Sequence, residues 1–257
     1  LKQISATITS NIELMPGYHL ICVDAPDIAA TSQPGQFATI RCGEEFVLRR
    51  PFSIHKTAKT GQVCFLFKVI GKGTAWLSLR RKGGKLDTLG PLGQGFYINP
   101  ASKKLLLVAG GIGIAPLAFL AQQALGQKKS VTLLLGAHTK DELYPQKFLP
   151  DRIKSIITTE DGSYGEEGKV TDILPRYVNW ADQIYACGPL AMYNTIASEK
   201  QQWQNKKLVQ VSLEIRMGCG IGACFSCSIK TKRGMKRVCL DGPVFNLDDV
   251  ILEEVKL

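Results

Sequence analysis

Cysteine placement limits what this chain can fold into more than any other feature of its sequence. Cys22, Cys42, Cys64 and Cys187 stand alone, whereas Cys219, Cys224, Cys227 and Cys239 crowd into 21 residues. Three of these four share one loop, Met217-Gly-Cys-Gly-Ile-Gly-Ala-Cys-Phe-Ser-Cys, spaced Cys-x4-Cys-x2-Cys, and the fourth follows after 11 intervening residues. That is the plant-type ligand order of a [2Fe-2S] cluster. Four thiolates must converge on a small anionic group, so Gly218, Gly220 and Gly222 suit a loop that wraps closely and aims backbone N–H groups at sulfur. A four-cysteine zinc site or unliganded thiols stand as alternatives, although zinc sites usually show two short knuckles separated by a longer loop. A Rieske-type centre needs two histidine ligands, and His19, His55 and His138 all lie far from the loop. The clustering points to a metal site rather than to disulfides, and Cys22, Cys42 and Cys64, on predicted strands, are expected only to pack.

The rest of the chain falls into two segments of different periodicity. From Ala6 to about Asn99, short β-type runs such as Tyr18-His-Leu-Ile-Cys-Val and Val63-Cys-Phe-Leu-Phe-Lys-Val-Ile alternate with turns, which suggests an antiparallel barrel or sandwich. Near Pro100 the pattern changes to a strand at Lys104–Val108, a Gly-rich turn, a helix at Ala115–Leu125 and a strand at Val131–Leu135, a βαβ unit with a parallel sheet. Further strands are expected at Ile153–Thr158, Gln183–Ala186 and Leu208–Ile215, with a helix over Leu190–Trp203. The expected organisation is therefore an antiparallel β domain over 1–100, a parallel-sheet α/β domain over 101–210 and a small cysteine module over 211–257.

The longest apolar stretch, Leu105–Ala121, has 17 residues and is broken by Gly110, Gly111, Gly113 and Pro116. A membrane-spanning helix needs about 20. No basic segment followed by an apolar one opens the chain, so a cytoplasmic location is expected. The formal charge of +10 is spread along the sequence rather than gathered in a tail, which argues against nucleic acid as a partner. Its densest run, Lys230, Lys232, Arg233, Lys236 and Arg237, is either a solvated hairpin or a docking patch for an acidic partner.

Arg49-Arg-Pro-Phe-Ser-Ile-His presents a guanidinium and a hydroxyl from one extended segment, a pairing suited to a pyrophosphate and a flavin ring. Alone it reads equally as a charged strand edge. Val69-Ile-Gly-Lys-Gly-Thr then places glycines and a hydroxyl before a helix start, and Gly90-Pro-Leu-Gly follows near the end of the β domain. Leu105-Leu-Leu-Val-Ala-Gly-Gly-Ile-Gly-Ile-Ala-Pro is a strand, a glycine turn and a helix start, with Pro116 where a dinucleotide fingerprint has its third glycine.

Together with Tyr185-Ala-Cys-Gly-Pro, these motifs resemble the ferredoxin-NADP reductase superfamily over residues 1–210. With the cysteine loop and Arg237-Val-Cys-Leu-Asp-Gly-Pro-Val-Phe added, the whole chain resembles the electron transfer subunits of type B dihydroorotate dehydrogenases. The resemblance implies a β-barrel FAD domain, a Rossmann-like NAD domain and a [2Fe-2S] module ligated by Cys219, Cys224, Cys227 and Cys239. FAD would be held by Arg50, Pro51, Phe52 and Ser53 near its ring system, by Gly71, Lys72, Gly73 and Thr74 at its pyrophosphate, and by contacts from Val69 and Ile70. Phe52 stands where the superfamily usually has Tyr. For NAD, Gly110, Gly111 and Gly113 would face the pyrophosphate, and Cys187, Gly188 and Pro189 the nicotinamide. Glu160 and Asp161, near the ribose and with no arginine before Arg176, favour NAD over NADP. Ser53 and Cys187 are the candidate catalytic residues, with simple packing as the other reading of Cys187.

The implied partner is an FMN-containing catalytic subunit that oxidises dihydroorotate to orotate in pyrimidine biosynthesis, two copies of each chain forming a heterotetramer. The isolated chain would retain only the diaphorase half-reaction. A subunit of a sulfide dehydrogenase, bifurcating transhydrogenase or hydrogenase is the rival, and a non-enzymatic iron-sulfur carrier or redox sensor would leave the first 210 residues idle. The chain purified without oxygen should be yellow-brown, release FAD on acid extraction and carry two irons per chain by elemental analysis. Zinc in place of iron would contradict the cluster assignment.

Overall fold

The computed structural model of the chain describes residues 1–255. Six antiparallel strands close into a barrel: β1 (Lys2–Met15), β2 (Tyr18–Asp24), β3 (Phe37–Ile40), β4 (Arg50–Thr57), β5 (Gln62–Lys68) and β6 (Lys85–Leu92), in the order β1-β2-β5-β4-β3-β6. Helix α1 (Pro26–Thr31) follows β2, and α2 (Lys72–Ser78) follows β5. Side chains alternate along each strand, so Ala6 and Ile8, Ile21 and Val23, Ala38 and Ile40, Phe52 and Ile54, and Val63, Phe65 and Phe67 fill the interior. Closure also removes the exposed edges that an open sheet of this kind would leave.

Strand β7 (Lys104–Gly110) begins the second unit, followed by α3 (Ile114–Gly126), β8 (Ser130–Ala137), β9 (Lys154–Thr159), β10 (Glu166–Glu167), α4 (Val170–Ile173), α5 (Pro175–Val178), β11 (Gln183–Cys187), α6 (Leu190–Lys200) and β12 (Val209–Ser212). These strands are parallel, in the order β10-β9-β8-β7-β11-β12. Residues 105–109 of β7 are all buried, as expected of a central parallel strand covered on both faces. The 17-residue apolar stretch is thus a buried strand running into a buried helix. Among the described residues, no helix is long and apolar enough to cross a membrane.

The remaining elements are a hairpin of β13 (Ser228–Thr231) and β14 (Gly234–Arg237), the short helix α7 (Val238–Asp241) and β15 (Val244–Asn246). Strand β15 pairs antiparallel with β12, so the chain beyond the cysteines adds the last strand to the nucleotide-type sheet. The strand expected over Leu208–Ile215 keeps its sheet pairing only for Val209–Ser212, and the chain then leaves the sheet.

One expectation about cysteines is corrected. Cys22 and Cys64 form a disulfide, because β2 and β5 pair in a register that sets them directly opposite, with Cα atoms 4.0 Å apart. Strand propensity located both residues but carried no information on register. Cys42 is free and buried, and burial pushes its thiol up to about 11.

A packing constraint fixes α3 against the sheet. A Cβ built on Gly113 would lie 1.9 Å from the Cys187 carbonyl oxygen at the end of β11, so only glycine permits this approach. Gly113→Ala should therefore destabilise the chain by about 2 kcal/mol or more, since overpacking a tight contact typically costs about 1–3 kcal/mol. A urea midpoint equal to that of the unmodified chain would contradict this contact.

Candidate functional site

A cavity of about 690 Å³ opens where the barrel, the glycine turn before α3 and the chain leaving β12 meet. The barrel supplies Arg50, Pro51, Phe52 and Ser53 from β4, together with Ile70 and Thr74 around the start of α2. The opposite wall comes from Ile112 and Ala115, and the third from Ser212 to Met217. Val69 packs against the barrel core instead.

The start of α2 is organised by one side chain. Thr74 Oγ1 accepts the N–H groups of Ile70 and Gly71 at 2.9 and 3.1 Å and donates to the Gly71 carbonyl at 3.0 Å. Gly71 faces open space, and a Cβ on Gly73 would meet Arg50 Nε at 3.2 Å. The Arg50 guanidinium therefore lies across the Gly71–Thr74 turn, held there by donation to the Leu48 carbonyl at 2.8 Å. A fixed guanidinium beside a glycine turn is a seat for a phosphate-bearing group.

At the carboxyl edge of the parallel sheet, three turns stand together. Gly110 abuts Pro189 and Gly188, and Gly111 takes φ +52° with open space beside it. Glu160, after β9, lies 3.2 Å from His138 Nδ1, while the Asp161 carboxyl is held below its usual range by donation from the Ser163 hydroxyl and N–H. Cys187 is fully buried and does not line the cavity; its thiol donates to the Ser212 carbonyl at 3.7 Å, and burial pushes its pKa well up, so it remains protonated. Gly188 N–H donates to the Tyr193 hydroxyl at 3.1 Å, and that hydroxyl donates to the Ser212 carbonyl at 2.6 Å. Tyr193 thereby ties the end of β11 to the end of β12.

Sequence reasoning missed the third wall. Glu214 lines the cleft with its side chain open to it, and desolvation by the surrounding walls raises its carboxyl above the ordinary value. The available signal was a lone carboxylate and a lone guanidinium, Glu214 and Arg216, in an otherwise apolar run between the last parallel strand and the cysteine loop.

Met217 lines this cavity, and two residues later the chain reaches Cys219. Six backbone N–H groups point at the module's sulfurs. Ile221, Ala223 and Cys224 donate to Cys219 at 3.4, 3.2 and 3.4 Å, Cys219 to Cys224 at 3.4 Å, Gly222 to Cys239 at 3.1 Å, and Cys239 to Cys227 at 3.4 Å. Hydrogen bonds from Ser226 and Cys219 lower the Cys224 thiol to about 6. Such a donor set suits thiolates around an anionic cluster. Gly220, at φ +73°, packs against Thr39 of β3, where a Cβ would lie 2.8 Å from Cγ2, so the loop nests on the barrel. Arg237 donates to the Gly222 carbonyl at 2.6 Å with its guanidinium 4.8 Å from the Phe225 ring centre, clamping the loop from outside.

The basic run is largely neutralised within the chain: Lys230 pairs with Glu254, Arg233 with Asp249 and Lys236 with Asp241. Cys219 is partly exposed and Cys224 exposed, whereas Cys227 and Cys239 are buried. Ile221, Phe225 and Leu240 are exposed around the loop.

A family model described as the iron-sulfur cluster binding domain of dihydroorotate dehydrogenase B matches residues 214–251, and an oxidoreductase NAD-binding domain matches 107–198. The chain is 39% identical to the dihydroorotate dehydrogenase B (NAD(+)) electron transfer subunit of Desulforamulus reducens, covering 98% of this chain and 99% of the relative. To that of Bacillus caldolyticus it is 40% identical over 86% and 87%. Among solved structures it is similar to a chain of an NADH-dependent reduced ferredoxin-NADP oxidoreductase, determined for flavin-based electron bifurcation, at TM-score 0.88 and 30% identity over 98% of this chain and 91% of that one. A ferredoxin NADP+ reductase from Neisseria gonorrhoeae with bound FAD and NADP shares the fold, at TM-score 0.68 and 17% identity over 83% of this chain and 100% of that one.

Proposed function

The chain belongs to the electron transfer subunits of dihydroorotate dehydrogenase B, and on that footing we propose how its residues seat the three cofactors and meet the partner subunit. Its function is to carry electrons between NAD and a catalytic partner that oxidises dihydroorotate. When bound, FAD exchanges a hydride with NAD and single electrons with a [2Fe-2S] cluster, which NAD cannot do. Every other part of the task belongs to the chain's own side chains and backbone.

Arg50 and the Gly71–Thr74 turn bind the FAD pyrophosphate, Arg50 by charge-assisted hydrogen bonds and the turn by the N–H groups of Lys72 and Gly73, those of Ile70 and Gly71 being held by Thr74 Oγ1. Phe52, Ser53 and Ile70 border the flavin ring, with Ser53 offering its hydroxyl at the reacting face. Gly111, which faces open space, lets the backbone approach the NAD pyrophosphate, Gly110 and Gly113 keep that turn packed against Pro189 and the end of β11, and Gly188 and Pro189 border the nicotinamide. Cys187, enclosed and protonated, acts by holding the end of β11 to Ser212. Glu160 and Asp161 receive the ribose hydroxyls and repel a 2′-phosphate, which selects NAD. Glu214 lines the same cavity as Ser53, and desolvation there raises its carboxyl above the ordinary value. Cys219, Cys224, Cys227 and Cys239 ligate the cluster.

The observation that carries this reading is the segment Ser212–Met217, which walls the flavin cavity and continues into the first cluster cysteine. Flavin and cluster seats therefore share one wall. The partner, an FMN-bearing subunit, docks over the exposed edge of the cluster loop, where Ile221, Phe225 and Leu240 form an apolar collar, and two copies of each chain assemble in the cytoplasm. The likeness to the bifurcating oxidoreductase favours one other reading, the same scaffold delivering electrons to a ferredoxin-linked partner.

Two outcomes are expected. Arg50→Ala should lower FAD affinity about tenfold or more, the typical loss for a charge-assisted hydrogen bond, with NAD affinity within about twofold of the unmodified chain; unchanged flavin content after gel filtration would contradict the placement. Dihydroorotate-dependent NAD reduction should appear only when this chain is joined to its FMN subunit. Dihydroorotate oxidation by the isolated chain would overturn the reading. A joined complex inert to dihydroorotate that passes electrons from NADH to ferredoxin would establish the other one.

A further inference from the structure

Strand β4 carries one residue more than its neighbour can pair. The ladder steps from Ile54 opposite Phe65 to Lys56 opposite Cys64, so His55 is the extra residue of a β-bulge. A bulge re-aims the side chain it frees. Here Ile54 stays in the barrel core, Lys56 is exposed, and the imidazole between them reaches the nucleotide-binding unit.

Two hydrogen bonds receive it there. His55 Nδ1 lies 2.9 Å from the Ala115 carbonyl oxygen in the first turn of α3, and Nε2 lies 2.9 Å from the Tyr144 hydroxyl, in the segment between β8 and β9. A carbonyl can only accept, so Nδ1 carries the proton and donates, which leaves Nε2 to accept from Tyr144. His55 is 2% exposed and Tyr144 3%, so water does not compete for either bond. Burial lowers the imidazole to about 4, which keeps it neutral and preserves this division of donor and acceptor.

The contact around this pair is mostly apolar, with Phe119 of α3 seated in the barrel core, and the other polar link close by is a solvent-accessible ion pair from Lys68 of β5 to Glu142. Apolar packing holds two surfaces together without fixing how far one slides along the other, whereas hydrogen bonds are directional. The two anchored positions also frame the cofactor cavity. Ser53, two residues before His55, lines it from the barrel, and Ala115, the acceptor of the Nδ1 bond, lines it from the opposite side.

We propose that His55 is a positioning residue for hydride transfer, tying the flavin strand to the helix behind the nicotinamide turn and so setting the gap between donor and acceptor. The inference rests on the reading of this cavity as the flavin seat. Hydride transfer requires reacting atoms about 3–3.5 Å apart, and a misplacement of about 1 Å costs on the order of a hundredfold in rate. A bond removed some distance from the chemistry therefore acts on the rate more than on binding.

The test uses the full chain with FAD bound. His55→Leu removes both hydrogen bonds, Tyr144→Phe removes one, and His55→Asn keeps a donor toward Ala115. Stopped-flow reduction of the flavin by NADH should show the limiting rate of His55→Leu reduced about tenfold or more, with half-saturating NADH changed less than about threefold. His55→Asn should recover most of the loss, and Tyr144→Phe should fall between. Independently of turnover, hydrogen exchange at 111–118 should accelerate in His55→Leu while the barrel strands stay protected. A limiting rate within about twofold of the unmodified chain at full FAD occupancy, or half-saturation rising in step with the rate loss, overturns the proposal. If His55→Leu fails to hold FAD, Tyr144→Phe is judged by the same two criteria. If NADH fails to reduce even the unmodified chain, it is the flavin reading that falls, and hydrogen exchange alone decides whether His55 ties the two units.

Discussion

From Gly113 to Ala121 every residue is buried, so the first two turns of α3 have no face to turn toward water and the two larger units of the chain must close around them. One side meets the parallel sheet, through Leu117 and Leu120, and the other presses Phe119 into the barrel. A helix apolar all round is stable only when covered all round. Because α3 begins at the glycine turn, covering it brings that turn beside β4 and the start of α2. The cavity between the units is a consequence of burying this helix.

The same closure has a second consequence. Strand β12 ends beside β11, tied to it through Tyr193, and the chain leaving it has to cross the mouth of the cleft before reaching the cysteine loop. Ser212–Met217 thereby becomes a wall of the cavity and the approach to the cysteine loop. Gly220 docks the loop on β3, and β15 returns to pair with β12, so the cysteine segment is fixed to both larger units. Cys219 and Cys224 lie at the loop's exposed edge, whereas Cys227 and Cys239 are buried. Intramolecular ion pairs engage Lys230, Arg233 and Lys236 of the basic hairpin beside it, and Ile221, Phe225 and Leu240 stand exposed around the loop.

Several site features were beyond the reach of pattern reading, each for a physical reason. Gly113 was legible as part of a fingerprint, but its closeness to the Cys187 carbonyl belongs to the packing of two elements distant in sequence. Cys187 was legible as part of Tyr-Ala-Cys-Gly-Pro, yet whether its thiol reaches the cavity depends on which way the end of β11 turns. Glu214 was missed because the predicted strand was carried through to Ile215, and a carboxylate in a strand draws no attention. Cys22 and Cys64 were correctly placed on strands, and their pairing followed only from register.

The sequence by itself determined the order of the units, the element types and the chemistry of the ligands. Alternating apolar residues, a strand–glycine turn–helix pattern and Cys-x4-Cys-x2-Cys spacing are local, and local geometry depends on neighbours in the chain. Tertiary structure decided what faces what: the disulfide, the bulge that turns His55 toward Ala115, the wall from Ser212 to Met217, and the final strand supplied from beyond the cysteines. These contacts join residues far apart in sequence. They are selected by the register and packing of whole elements, which no single window of residues encodes.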